Sequence, residues 1–597
     1  MARDEVADGS STDGLPIAPS LGPTLEREHY HTQPTLLDRR SLFLCGVSML
    51  LALAAAIVAQ VLTALIALIT NLSFYQRVSF TPVSPAGNHM GWLVMVPPFV
   101  GALIIGVMAR YGSSAIRGHG IPEAMERVLQ HESKIPPHMT WLKPISAAIS
   151  IGTGGPFGAE GPIIATGGSL GSLWGQLMHT TSHERKTLLS AGAAAGMAAT
   201  FGTPVSAVLL AIELLLFEWS PRSLVPVGLA CVTASTARVA MVGPEPVFPM
   251  PVLDAPSPTA VVGYVIVGAI VGAAAVLVTR AVYAVEDAFE KLPIHWMWWP
   301  AIGALVVGFV GVFAPRTMGV GYDNIEAIVS GHLVGRALAV LCVLKFISWV
   351  IALGSGTSGG TLAPLFTVGG GLGASIGALL VAAVPAAHLD PRLAALVGMA
   401  AMFAGASRAV LASVVFAFET TRQPAALLPL LGGCAAAFLV ASAWMRQSIM
   451  TVKIARRGVY VPDEYGPDPL AGAGVAECAT RTVTSLRSTM TIAAARGAIA
   501  SAKARHAAFP VCDDNERVVG LVSHRVLLAA EDADASVSTV MDETPLTMRT
   551  DRSLREAVGE MVRAGAGRVV LVDPGGKLAG IVTQRDVISA WRRRALS

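Results

Sequence analysis

The sequence predicts an all-α polytopic membrane domain followed by a small soluble α+β module. Three observations carry this. The chain is 53% hydrophobic and only 14% charged over 597 residues, with a mean hydropathy of +0.59, which excludes a soluble enzyme of this size. Apolar runs of spanning length recur from about residue 40 to about residue 450, whereas a transmembrane β-barrel would alternate over segments of about 10 residues. After Arg456-Arg457 the composition turns polar and mixed. The net charge of +3 is uninformative, and no nucleic-acid partner is expected. The six cysteines (Cys45, Cys231, Cys342, Cys434, Cys478 and Cys512) form no paired motif, which argues against a disulfide framework and a zinc site.

Residues 1–37 are polar and Pro-rich and read as a disordered cytoplasmic tail without a signal peptide. Arg39 and Arg40 precede the first apolar run, Leu42 to Ile69, and basic residues at that entry favour a cytoplasmic N-terminus. Further runs follow at about 91–109, 141–151, 162–178, 187–216, 223–242, 259–279, 297–314, 334–353, 364–384, 393–418 and 425–445. Several are too short to span a bilayer, and many are broken by Gly or Pro. Broken half-helices at that depth are tolerated where they line a protein-enclosed site.

An internal repeat accounts for the breaks. Gly118-His119-Gly120-Ile121 answers to Gly319-Val320-Gly321-Tyr322, 201 residues on. Pro162…Gly167-Gly168…Gly171 answers to Pro364…Gly369-Gly370…Gly373 at an offset of 202. Val208…Ala211-Ile212-Glu213 answers to Val414…Ala417-Phe418-Glu419 at 206. The halves run about 40–245 and 255–445, and matching broken segments in two halves point to a substrate site at the bilayer midplane.

Within that frame stands Gly158-Ala159-Glu160-Gly161-Pro162. Glu160 is the only ionisable side chain between Lys143 and His179, and an acid at that depth is a functional candidate by default. Glycines permit a tight turn and Pro162 starts a helix, whose free N–H groups and positive dipole end face the turn. That is an anion site with a carboxylate built into it.

Residues 459–474 read as a Pro/Gly linker. Beyond it lie two similar units, 475–532 and 533–597, each a helix, strand, turn, strand and helix, with Gly520 and Gly580 at matching places. One rival class also has a motif. Gly356-Thr357-Ser358-Gly359-Gly360 fits a nucleophile elbow, which would make the chain an intramembrane serine hydrolase. The elbow requires a strand-to-helix turn and a His/acid pair, whereas Ser358 falls in a half-helix turn duplicated from the first half.

Gly118-His119-Gly120-Ile121-Pro122, Gly158-Ala159-Glu160-Gly161-Pro162, Gly360-Thr361-Leu362-Ala363-Pro364 and the repeat together make residues 38–458 resemble the CLC family of chloride channels and chloride/proton antiporters. The C-terminal module resembles a CBS-domain pair. The resemblance implies an inverted repeat of intramembrane helices and a homodimer in the lipid bilayer, with one pore per subunit. It makes Glu160 the external gating glutamate. It assigns chloride binding to His119, Gly120, Ala159, Glu160, Gly161, Thr361, Leu362 and Met450, mostly through backbone amides. Three departures stand out. His119 replaces the family's serine, Met450 replaces its tyrosine, and Leu214 occupies the place of the antiporters' internal proton-accepting glutamate.

Two nearby acids are candidates for a proton relay. Glu213 matches Glu419 in the repeat, which also suits helix or dimer-interface packing. Glu218 lies four residues after Leu214, on the same face if the helix continues, and is otherwise a cytoplasmic helix end. In the CBS pair, Thr583 and Asp586 match the adenosine-nucleotide pattern, while Ser523 is followed by Val526 where an aspartate is needed, so one site for ATP, ADP or AMP is expected. The expected function is a glutamate-gated, voltage- or pH-sensitive, uncoupled chloride channel. The runner-up is a chloride/proton antiporter, and a third reading is transport of another anion. Neither enzymatic activity, a required cofactor nor a metal is expected. The expected setting is a bacterial inner membrane, with both termini cytoplasmic.

Overall fold

The computed structural model describes residues 39–178, 180–459, 461–462, 470, 473–501 and 506–595. The expected tail over 1–37 and most of the expected linker therefore lie outside the described residues. Among those described, eight helices are long and apolar enough to cross a membrane.

The first repeat copy begins with α1 (Arg39–Tyr75), α2 (Val96–Tyr111), α3 (Ile121–Gln130) and α4 (Met139–Gly152). It continues with α5 (Glu160–Leu177), α6 (Ser182–Phe201), α7 (Pro204–Ala211) and α8 (Pro221–Val242). The second copy begins with α9 (Pro258–Glu290), α10 (Trp299–Phe313), α11 (Tyr322–Val329) and α12 (Gly335–Gly354). It continues with α13 (Leu362–Ala383), α14 (Pro391–Ser407), α15 (Val410–Thr421) and α16 (Leu427–Trp444), after which comes the short α17 (Val452–Arg456). Small residues let these helices pack closely. A side chain at Gly268 would meet the Gly433 backbone, and one at Gly373 the Ala394 carbonyl. α1 shows the membrane pattern: Leu51, Ala55, Ala59 and Leu62 are buried, whereas Leu50, Ile57 and Val61 on its other flank are exposed.

Two expected runs are each split in two. The run 187–216 breaks at Gly202, whose φ of 64° closes α6, and Pro204 opens α7. The run 393–418 breaks at Arg408, left-handed at φ 68°, whose guanidinium donates to the carbonyls of Met445 at 2.6 Å and Arg446 at 2.8 Å. After α7 the chain makes a π-helical turn, Ile212–Leu216, and reverses at Phe217 with φ 52°. The expectation that Glu218 shares a helical face with Leu214 is therefore incorrect: the helix ends between them.

The copies meet on equivalent residues. Gly158 and Gly360, 202 apart in sequence, exchange both backbone hydrogen bonds at 3.1 and 2.9 Å as an antiparallel bridge. A local two-fold axis passes through that pair. The same symmetry appears at α7 and α15. Glu213 accepts from the N–H groups of Leu411 and Ala412, each at 3.0 Å, at the start of α15. Glu419 accepts from Val205 at 3.1 Å and Ser206 at 2.9 Å at the start of α7. Each carboxylate thus satisfies the orphan N–H groups of the other copy's helix. Both acids read as structural caps.

The soluble region contains two three-stranded sheets of the same design. The first is β1 (Leu486–Arg487), β2 (Ala508–Cys512) and β3 (Val518–Ser523); the second is β4 (Thr547–Arg549), β5 (Arg568–Val572) and β6 (Leu578–Thr583). In both, the first pair is parallel and the second antiparallel, with a bulge at Val511/Cys512 or Leu571/Val572. The leading strand of each sheet adds to the expected helix-strand-strand-helix unit. The short α18 (Val475–Cys478) packs on the second sheet although it precedes the first; α19 (Ile492–Ser501) and α20 (His524–Ala529) accompany the first sheet, and α21 (Leu554–Arg563) and α22 (Gln584–Ala595) the second.

Candidate functional site

The site forms where the two copies touch. α5 starts two residues beyond Gly158 and α13 two residues beyond Gly360, so both helices present their N-termini to one place. Neither Ala159 nor Thr361, the capping residues, makes a side-chain cap, and the first-turn N–H groups of a helix have no intrahelical partner. The helix opens on Glu160 itself rather than on Pro162, because the bridge with Gly360 ends at Gly158. The close approach explains the glycines. A side chain at Gly158 would collide with the Glu160 carboxylate, and one at Gly161 with the His119 carbonyl.

Glu160 is 1% exposed. Its Oε1 accepts a hydrogen bond from the Tyr322 hydroxyl at 2.9 Å, while Oε2 is buried without a hydrogen-bond partner. The Thr361 hydroxyl is also buried and unpartnered. No cation lies within ion-pair distance of Glu160 among the described residues, although the buried Lys345 ammonium acts on it. That ammonium donates to the carbonyls of Thr317 at 2.9 Å and Gly319 at 3.0 Å. Its counterpart in the first copy, Lys143, donates to the carbonyls of Ile116 at 2.8 Å and Gly118 at 2.9 Å. Each lysine thus ties down its copy's Gly-x-Gly turn.

The first turn runs beside Gly161. Gly118 N–H donates to the Thr357 carbonyl at 3.2 Å. His119 is buried, with Nδ1 unpartnered. Gly120 caps α3 at φ 92°, and its N–H donates to Glu123 Oε2 at 2.8 Å. The expected offer of that amide to an anion is therefore incorrect, because α3's own cap takes it. Met450 is fully buried in the turn before α17. The neighbouring Ile449 carbonyl accepts from the Tyr283 hydroxyl at 2.7 Å, so that phenol is engaged with backbone.

The remaining candidates fall elsewhere. Leu214 is 3% exposed and packed in the apolar core. Glu218 is buried: Oε1 accepts from the Ser223 hydroxyl, and Oε2 lies 3.3 Å from Lys186 Nζ, with His183 at 3.8 Å from Oε1. This cluster lines a cavity of about 830 Å³ between the membrane domain and α21, whose wall includes Glu132, Arg555 and Glu556. Ser358, the supposed nucleophile, lies 3.2 Å from Ser146 Oγ, and no imidazole or carboxylate bonds to it among the described residues. Thr583 and Asp586 are adjacent, with Asp586 Oδ2 accepting from the Thr583 N–H at 2.8 Å and hydroxyl at 2.7 Å. Their counterpart is weaker: among the described residues Ser523 Oγ accepts only from the Val526 N–H, at 3.2 Å. Sequence reasoning missed Tyr322, Lys143 and Lys345 as parts of the site. Two lysines 202 apart in apolar runs were a signal at the repeat offset; the Tyr322 contact had none.

Comparison with known proteins adds to this geometry. Residues 100–442 match the family model described as voltage gated chloride channel. Residues 475–532 and 537–593 match the CBS domain model. The chain is 30% identical over 376 residues to chloride channel protein CLC-f of Arabidopsis thaliana, a match covering 58% of this chain and 47% of that one. It is 29% identical over 371 residues to the H(+)/Cl(-) exchange transporter ClcA of Cronobacter sakazakii, covering 59% and 78%. The chain thus spans less than half of the plant relative. In fold it is similar to a eukaryotic CLC transporter (TM-score 0.61, 22% identity, 91% of this chain and 98% of that one). It is also similar to a slow cyanobacterial Cl-/H+ antiporter (TM-score 0.61, 23% identity, 69% and 97%).

Proposed function

Since the chain belongs to the voltage gated chloride channel family and ends in a CBS pair, we propose that it carries chloride through a pore gated by Glu160 and not coupled to protons. One observation supports this most: a fully buried carboxylate lies against two uncapped helix N-termini, with one oxygen unpartnered. Ionised, Glu160 occupies the place a chloride would take. Protonated, it loses the attraction to the helix dipoles and yields that place. The anion is held by partial charges and not by an adjacent cation, so it binds weakly enough to leave. The chloride-binding groups are the amides around Ala159, Glu160, Gly161, Thr361 and Leu362, with His119 and Met450 at the inner side. Leu214, sealed in apolar packing, offers a proton no stop on an inner route.

The second reading is chloride/proton exchange. It is favoured by the buried Glu218 with the partly exposed Lys186 and His183 beside the cavity and by the names of several relatives. In it, Glu218 takes the proton that Leu214 cannot. Recording chloride efflux and proton uptake together in liposomes separates the two. Efflux with no proton movement supports the uncoupled pore, and stoichiometric proton uptake, lost in Glu218→Gln, supports exchange.

The CBS pair is proposed to take one adenine nucleotide at Asp586, and the protein to work as a homodimer in a plasma membrane. α21 of the second CBS unit walls the cavity under the membrane domain, which gives nucleotide binding a physical contact through which to bias the pore.

A further inference from the structure

Tyr322 opens α11 in the second copy, at the position Ile121 fills in the first. Its ring stands edge-on to Phe201 (5.8 Å, 74°) and to Phe248 (5.8 Å, 69°). Phe201 in turn meets Phe416 at 5.2 Å. Such edge-to-face pairs hold a ring in one orientation. The hydroxyl of this fixed ring is the one side-chain donor on Glu160 among the described residues. We propose that Tyr322 is the latch of the gate: its phenol holds the ionised Glu160 carboxylate in the closed position and releases it on protonation.

The argument rests on the reading of Glu160 as the gate and assigns the residue that sets its threshold. A hydrogen bond to an ionised acceptor is roughly twice as strong as one between neutral groups. The phenol therefore favours the closed, charged state over the protonated one. Two side chains with titratable groups face Glu160, Tyr322 from α11 and Lys345 from α12. α13 contributes backbone, and α5 holds no other ionisable residue. The Lys345 ammonium is fixed on two carbonyls and is unchanged by substitution at Tyr322. A phenylalanine there keeps the ring and its aromatic neighbours and removes only the donor.

The test uses the full-length protein in liposomes, with chloride efflux measured against external pH for wild type, Tyr322→Phe, Glu160→Gln and the double variant. The expected result is that Tyr322→Phe moves the half-rise of flux to less acid pH by about one unit, as loss of a charge-assisted bond implies. Glu160→Gln and the double variant should then coincide. A Tyr322→Phe profile that overlays wild type, with Glu160→Gln insensitive to pH, overturns the latch alone. So does a double variant that differs from Glu160→Gln as much as Tyr322→Phe differs from wild type, which would make Tyr322 a wall of the pore. Wild-type pH dependence in Glu160→Gln overturns the gate reading beneath it.

Discussion

The two repeat copies build one backbone and equip it differently. Both have a Gly-x-Gly turn tied down by a buried lysine, a helix starting two residues past the shared glycine bridge, and a glutamate capping the other copy's helix. At the helix start the first copy has Glu160 and the second Leu362. At the opening of the following turn's helix the first has Ile121 and the second Tyr322. Residues shared by the copies hold the scaffold, and Glu160 and Tyr322, the residues proposed to carry the chemistry, are ones that differ. On that proposal, conformity to the symmetry separates structural acids from functional ones within a single molecule.

The largest expected effect comes from erasing the difference. Glu160→Leu makes the first copy match the second. Chloride flux at neutral pH should rise on the order of tenfold, the ratio set by about 1.4 kcal/mol of lost competition, and its pH dependence should vanish. Liposome efflux between pH 4.5 and 8 measures both, and retained acid activation would mean that the gate lies elsewhere. The opposite change, Leu362→Glu, places a second carboxylate beside the first and should suppress flux at neutral pH.

Next come the matched caps. Glu213→Gln and Glu419→Gln should each lower stability by about 1 kcal/mol, since each weakens the capping of two first-turn N–H groups. Thermal unfolding in detergent should show them alike. A variant at Glu213 that is as stable as wild type but loses proton movement would instead make that acid a relay.

The lysines should differ where their surroundings do. Lys345→Met should shift acid activation toward less acid pH by roughly half a unit, through loss of a cation that favours the ionised gate. Lys143→Met should leave the midpoint in place, because its ammonium is fixed on the first copy's turn, at the carbonyls of Ile116 and Gly118. The smallest effect belongs to the soluble module. Titration of the full-length protein with ATP should give heat that Asp586→Ala abolishes, whereas changes at Ser523 in the first unit should leave it intact.

Much of this was legible in the sequence. The repeat offsets placed the site and the spacing of glycines marked its close contacts. Hydropathy passed over the short α3, α11 and α17, which lie outside the apolar runs, and located the long helices except at two breaks. Arg408 shows why one of these was hidden. A left-handed turn at an arginine carries no Gly or Pro to announce it, and it is held by carbonyls nearly forty residues away. The π turn after Ile212 hid the position of Glu218 in the same manner, because an uninterrupted apolar run conceals where its helix ends. The reach of Tyr322 to Glu160 is a tertiary fact, set by packing across 162 residues, whereas the engagement of the Gly120 amide by Glu123 is a local cap three residues long that the glutamate at that spacing already signalled.

The bridge between Gly158 and Gly360 also constrains how the protein is made. A chain emerging from the ribosome presents residue 158 long before residue 360. At about 5–20 residues per second, the interval is on the order of ten to forty seconds. During that time the first copy can already be in the bilayer, but α5 has no opposing helix and Glu160 no phenol. A nascent chain therefore holds only half of the proposed pathway until residues 322 and 360 arrive. If Glu160 is the gate, the second copy delivers the opposing helix and the phenol that closes it together.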